Sequence, residues 1–228
     1  MQEIWDGVDL HADNQSRFNL PERVIAKTFL FRLIYCKEET AAWSFANDAN
    51  FNHVSKDVKF WQDVIDGFYT KYPRLFIGWH KELMDEVGKT GKYTAIDGRV
   101  YQFKPYKSRK GVWELPKTQI YNYPVQGLGA FLVMLSRISL WRRVNMSAQS
   151  VPVYTKFVNT VHDDIWLDTL MSELRGIDKD GNSCYNISIE IKNVFEALPK
   201  NFEKVTGKPF NLPCRYEIKK LTGEEIKY

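Results

Sequence analysis

Arg23, Lys27, Phe31 and Tyr35 stand four residues apart in the run NLPERVIAKTFLFRLIYC. Steps of four keep side chains on one helix face, drifting slowly around it. Two cations and then two aromatics therefore follow one another over about three turns. Arginine and lysine give charge-assisted hydrogen bonds to phosphate. Aromatic faces stack on bases. A triphosphate followed by a flat base suits such a stripe. The plainer account is an amphipathic helix with snorkelling cations and aromatics turned to the core.

A second group lies far downstream, in Val161-His162-Asp163-Asp164. Adjacent carboxylates on a turn are hard oxygen ligands of the kind magnesium takes. Two such ions about 4 Å apart clamp the attacking and leaving oxygens of a phosphoryl displacement. An exposed Asp-Asp turn is common and needs no function. Here, however, it sits between the apolar runs Phe157-Val158 and Ile165-Trp166-Leu167, where an unpaired charge is costly. A third group is Asn122-Tyr123-Pro124-Val125-Gln126, read as the start of a long helix. Asn122 and Gln126 carry donors and acceptors together and can read base edges in a minor groove. An ordinary polar cap explains them equally well.

Elements must hold these groups in place. Residues 1–18 read as helical, with no capping signal at their start. Asn19 and Glu22 have capping-box spacing and Pro21 suits a first turn, so a helix is expected from Asn19 through Tyr35. Residues 38–48 predict a short helix. Ser55 is expected to cap another, with the stripe Val58, Trp61, Ile65 and Phe68. Pro73 breaks it, and residues 74–87 resume. Tyr93–Ile96 and Arg99–Phe103 form a hairpin about Asp97-Gly98. Val125–Arg143 is a long helix. Val153–Thr160 and Ile165–Leu170 are strands, with the acidic pair at their hairpin tip. Ile187–Leu198 is a helix and Arg215–Leu221 a closing strand. The fold class is α+β, with helices first and then an antiparallel sheet among helices.

The chain has 228 residues, 44% hydrophobic and 26% charged, as expected of a folded globule. Roughly 70% of the unfolded surface is buried in a domain of this size. Aromatics at 14% suit a large core or a stacking surface. The net charge of +4 leans only mildly towards anionic partners. Positive charge gathers in KPYKSRKGVWELPK, residues 104–117, which reads equally as a solvated loop or a phosphate contact. Cys36, Cys184 and Cys214 contain no CxxC pair, so neither a zinc site nor a disulfide framework is suggested, and a reducing compartment fits. The amino terminus is no signal peptide, and no uninterrupted apolar run approaches membrane-spanning length. Asp178-Lys179-Asp180-Gly181-Asn182 mimics part of a calcium loop without the distal glutamate, and is expected to be a turn.

The three groups occur in an order that resembles the carboxy-terminal part of family A DNA polymerases, phage type. Asp9-x-His11 followed by Arg23, Lys27, Phe31 and Tyr35 looks like that family's motif B region. Asn122-x-Pro-Val-Gln126 looks like its minor-groove helix, and Val161-His162-Asp163-Asp164 like its motif C. The end at Leu221-Thr222-Gly223-Glu224 is similar too. The resemblance implies that His11, Arg23 and Lys27 hold the triphosphate of an incoming deoxynucleotide. Phe31 would stack beside its base and sugar, and Tyr35 would occupy the template-base position. Asp163 would bind catalytic magnesium, and Asp163, Asp164 and Lys27 would be the catalytic residues. His162, Gln126 and Asn122 would touch the primer–template minor groove, with Arg99 as a backbone contact. Residues 1–87 would be fingers and 88–228 palm.

Departures from the family pattern matter as well. Arg32 and Cys36 stand where glycine usually follows each aromatic, so bulk beside the template base is expected. Asp164 replaces a glutamate. The strand carrying motif A, with its own metal-binding aspartate, has no counterpart in these residues. The expectation is therefore a fingers-and-palm subunit of a split, DNA-directed polymerase, acting in a bacterial host's cytoplasm. Its partners would be primer–template DNA, a dNTP and a second polypeptide carrying motif A and the thumb, with or without an exonuclease. No membrane is involved. Alone, the chain should be poorly soluble or oligomeric. The rival is a non-catalytic DNA- or nucleotide-binding remnant of the same fold, which Arg32 and Cys36 favour.

Overall fold

Asp9 opens the first described helix of the computed structural model, which describes residues 6–35, 41–210, 214, 216–220 and 223. Its carboxylate accepts from the backbone N–H of His11 (2.9 Å) and Ala12 (3.1 Å), capping α1 (Leu10–Arg17). An aspartate here fills donors that have no partner within the helix. The helix thus has the capping signal that its sequence did not suggest. The next boundary differs from expectation. Asn19 has a φ of 49°, a left-handed turn conformation, and α2 begins only at Arg23 and runs to Tyr35. The Glu22 carbonyl accepts the bond from Ala26 N–H at 3.1 Å, so no capping box forms at Asn19.

Contacts divide the chain into two compact units, Met1–Gln126 and Gly127–Tyr228. This is a division by contacts, whereas a boundary at residue 87 is one of proposed roles. In the first unit α3 (Ala41–Asn47) and α4 (Val58–Lys71) pack with α2 around an aromatic core. Phe29 and Phe51 each lie 4.9 Å from Phe45 between ring centroids, and Phe51 meets Trp61 edge-on at 5.6 Å. Much of the chain's aromatic excess is spent here. Asp57 caps α4 through Lys59 N–H (2.8 Å), while Ser55 instead accepts from Asp57 N–H (3.1 Å). The expected cap was two residues early.

After Pro73 the backbone is π-helical over Arg74–His80 and continues into α5 (Lys81–Thr90). Gly91, with φ 69°, closes α5 in the left-handed conformation that glycine adopts freely. β1 (Lys92–Thr94) and β2 (Val100–Gln102) form the expected hairpin around Asp97-Gly98. A second small hairpin follows, β3 (Tyr106–Lys107) with β4 (Trp113–Glu114). Leu83, Val87, Phe103, Ile120 and Tyr121 form a separate core beneath these elements.

The long helix α6 spans Lys117–Ser147, starting eight residues before the expected Val125. Proline at 124 suggests a start because it lacks an N–H. Yet Ile120 and Tyr121 of the preceding turns are buried, and that burial outweighs one missing helical bond. By length and composition α6 could cross a membrane, with mean hydropathy 1.2 and 17% of its apolar window buried. Arg137 interrupts that window.

In the second unit β5 (Lys156–Val161) pairs antiparallel with β6 (Asp164–Asp168), with a bulge between Phe157 and Asn159. α7 (Met171–Arg175) and α8 (Ile187–Thr206) follow. Leu140, Val144, Leu174, Ile187, Ile191 and Val194 form the core, and Phe157 and Leu167 of the hairpin pack against it. α8 runs through Pro199 because Leu198 and Phe202 stay buried on either side, so it is longer than expected. The strand expected over Arg215–Leu221 is not seen. Arg215 and Leu221 lie outside the described residues, and only Lys219 between them bridges. The fold class is α+β, its sheets being separate two-stranded antiparallel ladders among the described residues.

Candidate nucleotide and nucleic-acid site

Ile25, Ala26, Phe29 and Leu33 turn the buried face of α2 into the aromatic core. Residues 23, 27, 31 and 35 lie two positions off that stripe, about 200° around the helix. Arg23, Lys27 and Phe31 are exposed there, while Tyr35 is half-buried and packs against the core of Leu83, Val87, Phe103, Ile120 and Tyr121. Phe31 is 42% exposed, so it is not the core aromatic that a plain amphipathic helix would carry. Its ring lies 6.4 Å from that of Tyr35 with an interplanar angle of 11°. The Lys27 ammonium stands 6.0 Å from the Phe31 centroid, and His11 stands 6.0 Å from it on the α1 side. Cation, imidazole and stacked rings form one continuous strip.

Asp9 organises the cationic end. Its second oxygen accepts from Arg23 Nε at 2.7 Å, while the first caps α1. That bond, above all, holds the Asp9 carboxyl down to about 2. Among the described residues the guanidinium engages only Nε, so its terminal nitrogens keep donors for an anion. Burial lowers the pKa of His11, and the charges of Arg23 and Lys27 lower it further. His11 Nδ1 is buried without a hydrogen-bond partner among the described residues. An imidazole beside two cations is poised to stay neutral until an anion arrives.

At the aromatic end Gln126 hydrogen bonds to the Tyr35 hydroxyl, and burial raises the tyrosine's pKa. Asn122, one turn earlier on α6, keeps a buried Oδ1 without a partner among the described residues. Both side chains sit well inside α6, not at its start. Arg99 pairs with Asp97 at 3.4 Å on the β1–β2 turn.

Arg32 does not crowd the strip. Its guanidinium donates to Asp48 (2.7 Å) and Ser44 (3.0 Å) and lies over the rings of Phe45 (5.0 Å) and Phe51 (5.2 Å). The bulk expected beside the template-base position is turned towards α3. Cys36 lies outside the described residues.

His162, Asp163 and Asp164 belong to the second unit. His162 and Asp163 make a two-residue turn, and Asp164 pairs with Val161 to close it. His162 has a φ of 53°, uncommon for a residue with a Cβ and a sign of a constrained turn. All three side chains are exposed. Two exposed carboxylates at a fixed turn suit magnesium, which takes one or two carboxylates plus water and substrate phosphate. Among the described residues no group of three or more His, Cys, Asp or Glu could form a cage around an ion.

One residue of this hairpin was missed from sequence. Glu173, 2% exposed, accepts from Tyr154 N–H (2.6 Å) and Thr155 Oγ1 (2.7 Å) at the open end of β5 and β6. Thr155 and Thr169 also share a hydrogen bond of 2.6 Å across the strands. The readable signal was an acid four residues after Thr169.

No known family profile and no curated protein matches the sequence. Among solved structures, the chain is similar to the POL domain of Pol1 from M. smegmatis, determined with DNA primer-template and dNTP. The TM-score is 0.66 at 14% identity, over 94% of this chain and 34% of that one. This chain has a polymerase fold. It spans about a third of that polymerase chain. At this identity the likeness is one of fold, and the roles of single residues rest on their geometry.

Proposed function

We propose that this chain is the fingers-and-palm part of a family A DNA-directed DNA polymerase, with fingers to about residue 87 and palm beyond. The observation that carries the reading is the continuous strip of Arg23, Lys27, His11, Phe31 and Tyr35, exposed at Arg23, Lys27 and Phe31, within a polymerase fold. Arg23, Lys27 and His11 take the triphosphate of an incoming dNTP. Phe31 stacks beside its base and sugar. Tyr35, held by Gln126, guards the template-base position. Gln126, Asn122 and His162 face the primer–template minor groove, and Arg99 touches the backbone. The primer 3′-oxygen forms a bond to the α-phosphorus, the bond to the β-phosphate bridge breaks, and pyrophosphate leaves. Positioning and charge neutralisation supply most of the rate in such transfers. Magnesium, when bound, would neutralise developing charge on the phosphates, with Asp163 as its protein ligand and Asp164 as the second carboxylate of the turn.

A second polypeptide supplies motif A and the thumb in this reading. The outer face of the β5–β6 hairpin supports a partner there. Val158 is 62% exposed and Trp166 39%, and β5 has no second neighbouring strand among the described residues. An open edge beside apolar side chains favours association. The binding-remnant alternative loses the support that Arg32 gave it, since that side chain is engaged elsewhere.

The test is primer extension with magnesium, by the chain alone and with the polypeptide encoded beside it. Asp163→Asn should abolish extension and leave binding to primer–template nearly unchanged. Extension that survives Asp163→Asn would falsify the assignment.

A further inference from the structure

The hairpin β3–β4 exposes aromatic surface that folding alone does not explain. Trp113 is 69% exposed, the adjoining Val112 58%, and Tyr106 43%. The strands have two residues each and form a sheet of their own. So short a ladder gains little from an outward tryptophan, and exposed apolar side chains of this size mark contact surfaces.

Charge is concentrated on the same loop. Lys104, Lys107, Arg109 and Lys110 fall within seven residues, with no acid before Glu114. Four cations match the whole formal excess of the chain, +4, so the remainder is balanced. Among the described residues none of Lys107, Arg109 and Lys110 has an ion-pair partner.

Register sorts the side chains. Lys107 lies opposite Trp113, and Tyr106 opposite Glu114. Directly opposed residues share a sheet face, and neighbours along a strand take alternate faces. The Tyr106 hydroxyl bonds to the Glu114 carboxylate at 3.4 Å, which places that acid on the face away from Trp113. Ser108 N–H bonds to Val112 C=O at 2.8 Å and fixes the loop, which turns through Gly111 at φ 79°. One face therefore presents an indole beside an ammonium, with Arg109 and Lys110 at the tip.

A ring and phosphate-seeking cations side by side match a polyanion whose flat faces are open. Duplex bases are stacked on one another and offer no face to an indole. An anionic membrane would be met by a broader apolar surface than one tryptophan and one valine. We propose that the hairpin Tyr106–Glu114 binds single-stranded nucleic acid, with Trp113 stacked on a base and Lys107, Arg109 and Lys110 on flanking phosphates. The inference stands on this hairpin and does not require catalysis.

The experiment measures anisotropy of a labelled oligothymidylate titrated with the full chain across a salt series. Trp113→Ala should weaken binding about fivefold to a hundredfold, the worth of one stacked base. Trp113→Phe should keep most of the affinity. The triple variant Lys107→Ala, Arg109→Ala, Lys110→Ala should flatten the log–log salt slope by about 2, at roughly 0.7 per single-strand phosphate contact. Circular dichroism establishes that each variant is folded. The proposal fails if folded variants bind as the parent does. It fails equally if Trp113→Ala weakens binding to inorganic polyphosphate as much as to the oligonucleotide. Preference for vesicles of phosphatidylserine over the oligonucleotide also overturns it. A parent chain that binds oligonucleotide through other residues sinks this proposal alone. A parent that binds none sinks the polymerase reading as well.

Discussion

Gln126 on the long helix hydrogen bonds to the hydroxyl of Tyr35, the last described residue of the cationic helix. The bond joins a candidate minor-groove reader to the candidate occupant of the template-base position. Tyr35→Phe and Gln126→Ala should each cost about 0.5–1.5 kcal/mol, the net worth of one hydrogen bond. Because the two groups share that bond, the double variant should cost less than the sum. Urea unfolding of the four proteins measures this. Additive losses would mean that the pair does not act as a latch.

His80 gives the first unit a sensitivity to acid. It is buried at the end of the π-helical turn and stacked on Tyr121 at 3.8 Å between centroids. Burial pushes its pKa from 6.5 down to about 4. The unfolded chain then binds more protons than the fold between those values. Stability is full above pH 6.5 and falls as pH drops towards 4, by about 3 kcal/mol in all at 1.36 kcal/mol per unit. His80→Phe should flatten this part of the pH–stability curve, measured by denaturant midpoints from pH 4 to 7. An unchanged slope would place the acid sensitivity elsewhere.

Residue spacing carried the strip on α2, the β1–β2 turn and the acidic hairpin, because each depends on local periodicity or on turn chemistry. Boundaries failed where distant contacts decide them. The helices expected to start at Val125 and to end at Leu198 run on through Pro124 and Pro199, because flanking residues are buried. Asn19 read as a cap, but it takes the left-handed turn between α1 and α2. Side-chain pairings across long separations were out of reach for the same reason. Asp9 with Arg23, Arg32 with Asp48, and Glu173 with Thr155 are set by packing that one sequence does not display.

Glu173 should matter more than its distance in sequence from the acidic turn suggests. Its buried carboxylate satisfies donors on Tyr154, Thr155 and, at 3.4 Å, Thr169. Glu173→Ala leaves buried donors without acceptors and should cost about 3 kcal/mol or more. Glu173→Gln keeps one acceptor oxygen and should cost less. Hydrogen exchange should show the loss concentrated in β5 and β6. Uniform loss across the second unit would argue for a general packing role instead.

Arg32→Gly restores the residue usual in the resembling family and should nevertheless destabilise this chain. It removes the bonds to Asp48 and Ser44 and the cation over Phe45 and Phe51. Hydrogen bonds to charged groups are worth about 1.5–3 kcal/mol, and glycine inside a helix costs roughly 1 kcal/mol more than alanine. Arg32→Ala should therefore be the milder change by about 1 kcal/mol. Thermal unfolding ranks the two. Nucleotide affinity should hardly move in Arg32→Ala, because the guanidinium faces α3.

Lys27 tests the strip itself. Its ammonium is exposed, lies near the Phe31 ring and has no carboxylate partner among the described residues. A snorkelling lysine could be replaced by methionine at no cost to binding, since the stem supplies the contact. A phosphate-binding lysine could not. Lys27→Met should weaken dNTP binding by about 1.5–3 kcal/mol, roughly tenfold to 150-fold, while leaving stability within about 0.5 kcal/mol. Lys27→Arg should keep much of the affinity, because the charge and the donors remain. Calorimetric titration of the full chain with a dNTP separates the two accounts. Equal affinities for the parent and Lys27→Met would return this helix to an ordinary amphipathic element.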